Sequence, residues 1–246
     1  MDRPLRIGVL ALQGAFREHA AALRELGAEV TEVRLPEELD GLDGLVIPGG
    51  ESTAILRLAG LYGLDEAIRS FREPILGTCA GMILLDRGHL GLADLEVDRN
   101  AYGRQVRSFE ADVALAEDPV PLRGVFIRAP RIRSLGGGVE VLGELEGDPV
   151  LVRDGRLLLA AFHPELTDDR RVHQRFLELV REERHESRPT GASLAKEASA
   201  RRAGQYERYG QAPSATHPAA SGASLRRSPA SPGESRGRPG GRDVRA

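Results

Sequence analysis

The chain has 246 residues, of which 41% are hydrophobic and 29% charged, and its formal net charge is −3. This length suits one large α/β domain or two small ones. A single cysteine excludes intramolecular disulfides and any metal site built from several cysteines. No apolar run approaches the ~20 residues of a membrane helix, and the first residues lack a signal-peptide pattern. We therefore expect a cytoplasmic protein that does not contact a membrane.

The C-terminal part of the chain differs in composition from the rest. Residues 187–246 contain 11 Lys and Arg against 4 Asp and Glu, so residues 1–186 carry a net charge of −10. This segment has no periodic apolar pattern and cannot bury enough surface to offset the loss of chain entropy. It also lacks the interleaved aromatic residues typical of nucleic-acid binding. We predict a folded domain over residues 1–186 and a disordered tail over residues 187–246, with no nucleic-acid partner.

The first part of the chain alternates predicted strands with predicted helices. Short apolar runs are typical of buried parallel strands, and the segments between them have apolar residues at helical spacing. Strict alternation implies right-handed crossovers and a parallel sheet with helices on both faces, and sites form at the carboxyl ends of such strands. The predicted strands are 7–12, 30–33, 44–47 and 74–76, and the predicted helices are 16–26, a stretch through Ile55 and Leu58, and 64–71.

After residue 90 the pattern changes to strands and turns. Apolar and polar residues alternate over 108–113, as in a half-exposed strand, and similar stretches follow at 124–128 and 139–142. Strands at 150–153 and 157–162 are separated by Asp154-Gly155, which is a strong hairpin signal. A final helix carries an apolar stripe formed by Val172, Phe176, Leu177 and Val180.

The only cysteine, Cys79, lies in the sequence Gly77-Thr78-Cys79-Ala80-Gly81, between an apolar strand and an apolar run that is predicted to be helical. This is the Gly-x-nucleophile-x-Gly layout of a nucleophile elbow, with a thiol in place of a hydroxyl. Small residues on both sides allow the sharp turn, and the start of a helix favours the thiolate. The alternative is a lone cysteine buried as a small hydrophobe at a tight turn.

Of the six histidines, His163 alone follows an apolar strand at the edge where a parallel-sheet site forms. In extended chain Glu165 projects to the same side, and Pro164 disfavours helical geometry at His163. A carboxylate beside the imidazole holds its tautomer and stabilises the imidazolium. The alternative is a plain strand-to-helix loop in which Thr167 or Asp168 caps the final helix.

The sequence Gly49-Gly50-Glu51-Ser52 forms another corner after a predicted strand, and it also has two interpretations. It is either a glycine turn with Ser52 as the N-cap of the next helix, or a site where free backbone N–H groups point at a developing oxyanion. The Gly-Lys-Ser/Thr ending of a P-loop is missing, which argues against nucleotide phosphate.

Together these motifs resemble the class I glutamine amidotransferases, whose triad is Cys, His and Glu. The resemblance narrows to the glutaminase subunits of pyridoxal 5′-phosphate synthase, covers roughly residues 5–184, and implies a flavodoxin-like three-layer α/β fold with a mostly parallel central sheet and an antiparallel extension. The sequence blocks that carry it are 8–19, 48–53, 77–81, 99–105, 126–130 and 163–167. This sequence departs from the family pattern in two places, a short loop at 86–89 and the tail after about residue 187.

The resemblance also implies a role for each matching residue. Cys79 is then the nucleophile, His163 the general base and acid, and Glu165 the residue that orients His163. Backbone N–H groups of Gly50 and Ala80 form the oxyanion hole. Gln13 and Gly14 face the synthase partner and help to set the oxyanion hole on docking. The residues that line the glutamine site are Gly50, Glu51, Ser52, Arg99, Ile127 and Arg128.

The implied activity is hydrolysis of L-glutamine to L-glutamate and ammonia, with ammonia passing to the synthase subunit that makes pyridoxal 5′-phosphate. No metal or bound cofactor is expected. Arginine suits this substrate because it binds a carboxylate such as that of glutamine bidentately. The alternatives are an amidotransferase or γ-glutamyl hydrolase of another pathway, or a non-catalytic assembly subunit, against which the intact Cys79, His163 and Glu165 argue.

Overall fold

A computed structural model describes residues 3–99 and 108–186 of the chain. The predicted tail at 187–246 lies outside the described residues, as does the sequence block 100–105 that follows Arg99. The predicted alternation of strands and helices is confirmed for the first part of the chain, and the change to antiparallel strands is confirmed for the second.

Five neighbouring strands form the parallel half of a nine-stranded sheet, in the order β2-β1-β3-β4-β11. Every residue of β3, β4 and β11 is buried, because helices cover the sheet and leave these apolar runs no exposed face. The first four positions have the flavodoxin-like order 2-1-3-4. The strands are β1 (Arg6–Leu10), β2 (Glu29–Val33), β3 (Gly44–Ile47), β4 (Ile75–Thr78) and β11 (Leu157–Ala160).

Beyond β11 the sheet continues through four antiparallel strands in the order β10-β9-β6-β7. The predicted hairpin at Asp154-Gly155 is confirmed, since β10 pairs with β11 directly across it. These strands are β6 (Phe109–Leu115), β7 (Leu122–Phe126), β9 (Glu140–Leu145) and β10 (Asp148–Asp154). A separate two-stranded sheet, absent from the sequence prediction, pairs β5 (Leu95–Asp98) with β8 (Arg131–Leu135).

The helices of the described residues fall into two contacting groups. Helix α2 contacts α3 and α4, whereas α1 and α5 contact each other through buried histidines. Gly63, with φ 73, ends α2 and begins α3, and a left-handed glycine is a common way to end a helix. The helices are α1 (Phe16–Glu25), α2 (Ser52–Tyr62), α3 (Leu64–Ser70), α4 (Ala80–Leu85) and α5 (Arg171–Glu186), with 3₁₀ turns at Pro36–Leu39 and Pro164–Leu166.

The predicted short loop after α4 folds around one buried carboxylate. Asp86 Oδ1 accepts from the Gly88 N–H at 2.8 Å and lies 2.7 Å from Nδ1 of His89. The turn therefore satisfies its own polar groups. No helix in the described ranges is long and apolar enough to cross a membrane.

The fold brings four loops to one edge of the sheet. The loops after β1, β3, β4 and β11 begin at the carboxyl ends of four parallel strands, which are neighbours in the sheet. Each of these loops contains one of the motifs predicted to carry chemistry. The site must therefore be assembled from Gln13, Gly49, Cys79 and His163 and the residues beside them.

Candidate active site

Cys79 stands between β4 and α4 in a backbone conformation that is rare for a residue other than glycine, with φ 48 and ψ −103. Strain of this kind at a nucleophile is a feature of the elbow motif. The Cys79 N–H donates to the Ala160 carbonyl at 2.8 Å, which ties the corner to β11. Cys79 as a whole residue is 5% exposed, and its Sγ lies 3.8 Å from the Ile127 carbonyl oxygen.

The glycines on both sides of this corner are required by close packing. A methyl group at Gly81 would lie 2.0 Å from the carbonyl oxygen of Ile47, and one at Gly77 would lie 2.7 Å from Cδ1 of Leu85. The backbone of α4 thus approaches β3 more closely than any side chain permits. The prediction that the corner needs small flanking residues is confirmed.

His163 and Glu165 form a buried pair, with 2.8 Å between Nδ1 of the imidazole and Oε1 of the carboxylate. The contact was predicted, but the extended geometry assumed for it is wrong, because Pro164–Leu166 is a 3₁₀ turn. His163 itself keeps a non-helical conformation, and its N–H donates to the Val125 carbonyl at 2.8 Å. The loop therefore does more than connect a strand to a helix.

The same loop also caps α5, though not through the predicted residues. The Asp169 carboxylate accepts from the N–H of Arg171, the first residue of α5, at 3.1 Å. Thr167 Oγ1 accepts from the Asp169 N–H at 3.3 Å and so supports the cap indirectly. The capping alternative is thus correct about the function of the loop and wrong about the capping residue.

Burial and hydrogen-bonding partners shift the pKa values of His163 and Glu165 in opposite directions. Burial by itself would lower the pKa of His163, but hydrogen bonds to Cys79 and Glu165 outweigh it and raise the pKa to about 10. Burial likewise would raise the pKa of Glu165, but His19 and His163 hold that pKa well below its ordinary value. The resting pair is therefore an imidazolium beside a carboxylate, and the imidazolium has a proton to give.

Two further histidines lie behind this pair, and neither was predicted to have a role. His19 is fully buried in α1, with Nε2 3.2 Å from Oε2 of Glu165 and Nδ1 3.0 Å from Nε2 of His173. Burial chiefly lowers the pKa of His173, to about 3. A signal was present in the sequence, because His19 falls on the apolar stripe that contains Ala20 and Leu23.

The loops after β1 and β3 pack tightly on each other. Gly14 has φ 99, and a methyl group there would lie 1.9 Å from the Gly49 carbonyl oxygen. Gln13 Oε1 accepts from the Glu51 N–H at 2.7 Å and covers Gly50. Gln13 and Gly14, which were predicted to be coupled to the partner, are therefore in direct contact with the predicted oxyanion corner.

Gly49 forms the wall of the site opposite His163. A methyl group at Gly49 would lie 2.3 Å from Cε1 of His163 and 3.2 Å from Cβ of Cys79. The Gly49 N–H donates to Oγ1 of Thr78 at 3.0 Å, which fixes the corner to the end of β4. The oxyanion roles of the Gly50 and Ala80 N–H groups stay predictions, although both groups adjoin residues that meet at this point.

Three of the predicted glutamine-site residues meet at the start of α2. The interpretation of Ser52 as the N-cap is wrong, because the Glu51 carboxylate accepts from the N–H groups of Thr53 and Ala54 at 3.1 and 2.8 Å. Those two backbone hydrogen bonds also lower the pKa of Glu51. Ser52 is buried, and its Oγ accepts from Nη1 of Arg99 at 3.2 Å. Arg99 is exposed, with its guanidinium held beside this helix start.

Gly50, the fourth of these residues, lies in the glycine corner just before α2, and the last two follow β7. The Ile127 carbonyl faces the thiol, whereas the side chain of Arg128 is exposed. Arg128 has φ 46, so the chain turns abruptly just after it passes Cys79. Their contact with glutamine stays a prediction. In the described part of the chain, no group of three or more His, Cys, Asp or Glu side chains is arranged to hold a metal ion.

Comparison with known proteins places this geometry in a family. The model of the SNO glutamine amidotransferase family matches residues 9–182. The chain belongs to the SNO glutamine amidotransferase family. Two curated relatives are named pyridoxal 5′-phosphate synthase subunit PdxT. The one from Thermus thermophilus is 54% identical over 71% of this chain and 97% of its own length. The one from Geobacillus kaustophilus is 50% identical over 72% and 96%.

A solved structure described as a glutamine amidotransferase is 50% identical to this chain. The two align over 71% of this chain and 98% of the solved one, with a TM-score of 0.66. Membership of the family confirms the predicted fold class, including the mostly parallel central sheet with its antiparallel extension. The roles of individual residues in this member of the SNO family rest on the geometry described above.

Proposed function

We propose that this chain is the glutaminase subunit of a pyridoxal 5′-phosphate synthase and hydrolyses L-glutamine to L-glutamate and ammonia. The observation that carries the proposal is the buried His163–Glu165 pair, 2.8 Å apart, beside a strained Cys79 at the carboxyl edge of the sheet. Relatives that share half of the residues and bear the name of that synthase subunit support the same function.

In the first step the Cys79 thiolate attacks the carbon of the glutamine side-chain carboxamide. The oxyanion that develops is bound by the N–H groups of Gly50 and Ala80. The His163 imidazolium then donates its proton to the nitrogen as the C–N bond breaks, so ammonia leaves and a glutamyl thioester remains. Glu165 keeps His163 charged and correctly oriented for this transfer.

In the second step water hydrolyses the thioester. His163, now neutral, takes a proton from the water as its oxygen bonds to the acyl carbon. The C–S bond breaks, Cys79 returns as a thiolate beside the imidazolium, and the new γ-carboxylic acid releases its proton to the solvent and leaves as glutamate. The resting charges are thereby restored, and no group outside the chain is consumed except water. This sequence requires no metal and no bound cofactor.

The start of α2 is the proposed binding site for the amino-acid end of glutamine. Arg99 pairs with the α-carboxylate, and Ser52 holds the guanidinium in place through its 3.2 Å hydrogen bond. Gly50 and Glu51 contribute backbone groups, because the Glu51 carboxylate is occupied as a helix cap. Ile127 and Arg128 close the other side, where the chain turns past the thiol.

The partner is the synthase subunit, which receives the ammonia. Gln13 and Gly14 are the proposed sensors of docking, because they contact the corner that contains Gly50. We also propose that residues 1–186 form the catalytic domain and that the tail at 187–246 is not needed for catalysis, since near-complete relatives align over only about 71% of this chain. The proposed compartment is the cytoplasm.

Glutamate release tests the proposal. With saturating glutamine, the purified full chain should release glutamate rapidly when the synthase subunit is added and slowly without it. Cys79→Ala should abolish release in both conditions, because no other thiol is present in the chain. Full activity of Cys79→Ala, or no glutamine hydrolysis by the complex, would refute the proposed function.

A further inference from the structure

A fully buried imidazole lies behind the proposed triad, on the side away from the thiol. We propose that His19 is a positioning residue: as a neutral imidazole protonated on Nε2, it holds the Glu165 carboxylate and, through Thr78, the glycine corner. This inference rests on the proposed glutaminase function and extends it, because it adds a fourth side chain on which the triad geometry depends.

The contacts of His19 reach both halves of the catalytic machinery. Its Nε2 lies 3.2 Å from Oε2 of Glu165 and 3.1 Å from Oγ1 of Thr78. The Glu165 contact is short but not aligned as a regular hydrogen bond, as expected when one N–H is shared between two acceptors. Thr78 Oγ1 in turn accepts from the N–H of Gly49 at 3.0 Å. The His19 imidazole therefore supports both the Glu165 carboxylate and, through Thr78, the Gly49 backbone that faces His163.

The neighbours of His19 fix its protonation state. A carboxylate at Nε2 requires a proton on that nitrogen, because two bare acceptors would repel each other. On the other side, His173 Nδ1 is buried and has no hydrogen-bond partner among the described residues. An unpaired buried N–H costs more than an unpaired acceptor, so His173 carries its proton on Nε2. It then donates to His19 Nδ1, which must be bare, and His19 is neutral.

A neutral His19 suits the chemistry better than a charged one. Charged groups act on both buried histidines. The Glu165 carboxylate contacts His19, and the Arg170 guanidinium lies near His173. A cationic His19 would compete with His163 for the charge of Glu165 and weaken His163 as a proton donor. A neutral N–H fixes the position of Oε2 while leaving the full negative charge for His163. His19 thus positions the carboxylate without neutralising it.

Kinetics of the complex with the synthase subunit test this role. His19→Leu should lower kcat by about 10- to 100-fold, as is typical when a residue behind a catalytic group is lost, and leave KM within about threefold. His19→Gln keeps an amide N–H toward Glu165 and should stay within about fivefold of the wild type. The control His173→Leu removes only the rear partner and should lose less than His19→Leu.

The pH profile separates positioning from loss of stability. Without the His19 contact the pKa of Glu165 rises, so the acid limb of kcat should move to higher pH in His19→Leu and not in His19→Gln. A merely structural role would lower kcat equally at all pH values. A folded His19→Leu with wild-type kcat and an unshifted profile would overturn the inference.

Nitrogen-15 NMR of the imidazoles tests the inference without using activity. His19 should be the neutral Nε2–H tautomer in the full chain at the pH of the activity assays. An imidazolium, or a proton on Nδ1, would overturn the inference even if the enzyme is a glutaminase. Conversely, the absence of glutamine hydrolysis by the wild-type complex would refute the proposed function while the NMR result stands, so the two failures are distinguishable.

Discussion

In the parallel half of the sheet, the loops that follow four of the five strands meet at the site, whereas the antiparallel extension reaches the site through carbonyl groups. Cys79 and His163 follow β4 and β11, while the extension contributes the carbonyl of Val125 to the His163 N–H and that of Ile127 to the thiol. At the site, residues of the parallel half therefore act through their side chains, whereas residues of the extension act mainly through their backbone carbonyl groups.

The two regions also differ in packing and in charge. Gly81 in the parallel half has no room for a methyl group, whereas Gly137 in the loop before β9 has no atom within 4 Å of one. Buried ionisable groups cluster behind the His163–Glu165 pair, whereas ion pairs of the extension, such as Arg123 with Glu110 and Asp112, lie on the surface. Surface pairs contribute little to stability, so the parallel half should dominate both the energetics and the response to pH.

The same substitution in the two regions should give the largest contrast. Gly81→Ala places a methyl group 2.0 Å from the Ile47 carbonyl oxygen and should lower the free energy of unfolding by about 3 kcal/mol or more. Gly137→Ala, with open space around it, should change that free energy by less than about 0.5 kcal/mol. Urea unfolding measures both, and equal effects of the two variants would contradict the packing argument.

The pH dependence of stability should also come from the parallel half. His173 is neutral when folded, with a pKa of about 3, and takes up a proton when unfolded below pH 6.5. Stability should therefore fall by about 1.4 kcal/mol per unit as pH drops below 6.5. The pKa of His163 is raised to about 10, so its contribution is complete below 6.5 and is lost as pH rises from 6.5 toward 10.

Variants separate the two limbs of this profile. His173→Gln should flatten the decline between pH 6.5 and 5, a window that lies above the pKa of an unfolded Glu165. His163→Gln should flatten the decline above 6.5. The control Arg123→Gln, in the extension, should leave both slopes unchanged, and a shift of either slope in that variant would show that surface pairs contribute to the profile.

The sequence was sufficient wherever a local pattern decides the structure. Buried apolar runs located the strands of the parallel half, and Asp154-Gly155 located the hairpin, because both signals act over a few residues. Strands β5 and β8 were missed because their sequences, LEVD and RIRSL, are short and largely polar, and their pairing contains a bulge. LEVD alternates apolar and polar residues over only four positions, and RIRSL loses the alternation after its third residue, so neither is long enough to be recognised as a strand.

Side-chain partners were predictable only when they are close in sequence. His163 and Glu165 are two residues apart, and their contact was expected. His19 and His173 are 154 residues apart, and only the packing of α1 on α5 brings them together. The cap of α2 was misplaced by one residue, since both Glu51 and Ser52 carry oxygens and the choice depends on which of them has an extended backbone.

A smaller effect is expected at the proposed glutamine site. Arg99→Lys keeps the positive charge but loses the planar fork that pairs with a carboxylate, so KM for glutamine should rise about tenfold with little change in kcat. Ser52→Ala removes the hydroxyl that holds the guanidinium and should raise KM by less. A fall in kcat at unchanged KM would place Arg99 in the chemical step and not in binding.

The smallest effect is expected from a side-chain change in the extension at the point where it touches the site. Ile127 contributes its carbonyl oxygen, 3.8 Å from Sγ of Cys79, and Ile127→Val keeps that group in place. Both kcat and KM of the complex should stay within about twofold of the wild type, since the carbonyl group that faces the thiol is unchanged and the lost methylene does not line a closed substrate pocket. A tenfold rise in KM would mean that the Ile127 side chain packs on glutamine. A side chain of the extension would then contact the substrate. The extension would therefore not act through its carbonyl groups alone, and the contrast with the parallel half would be wrong.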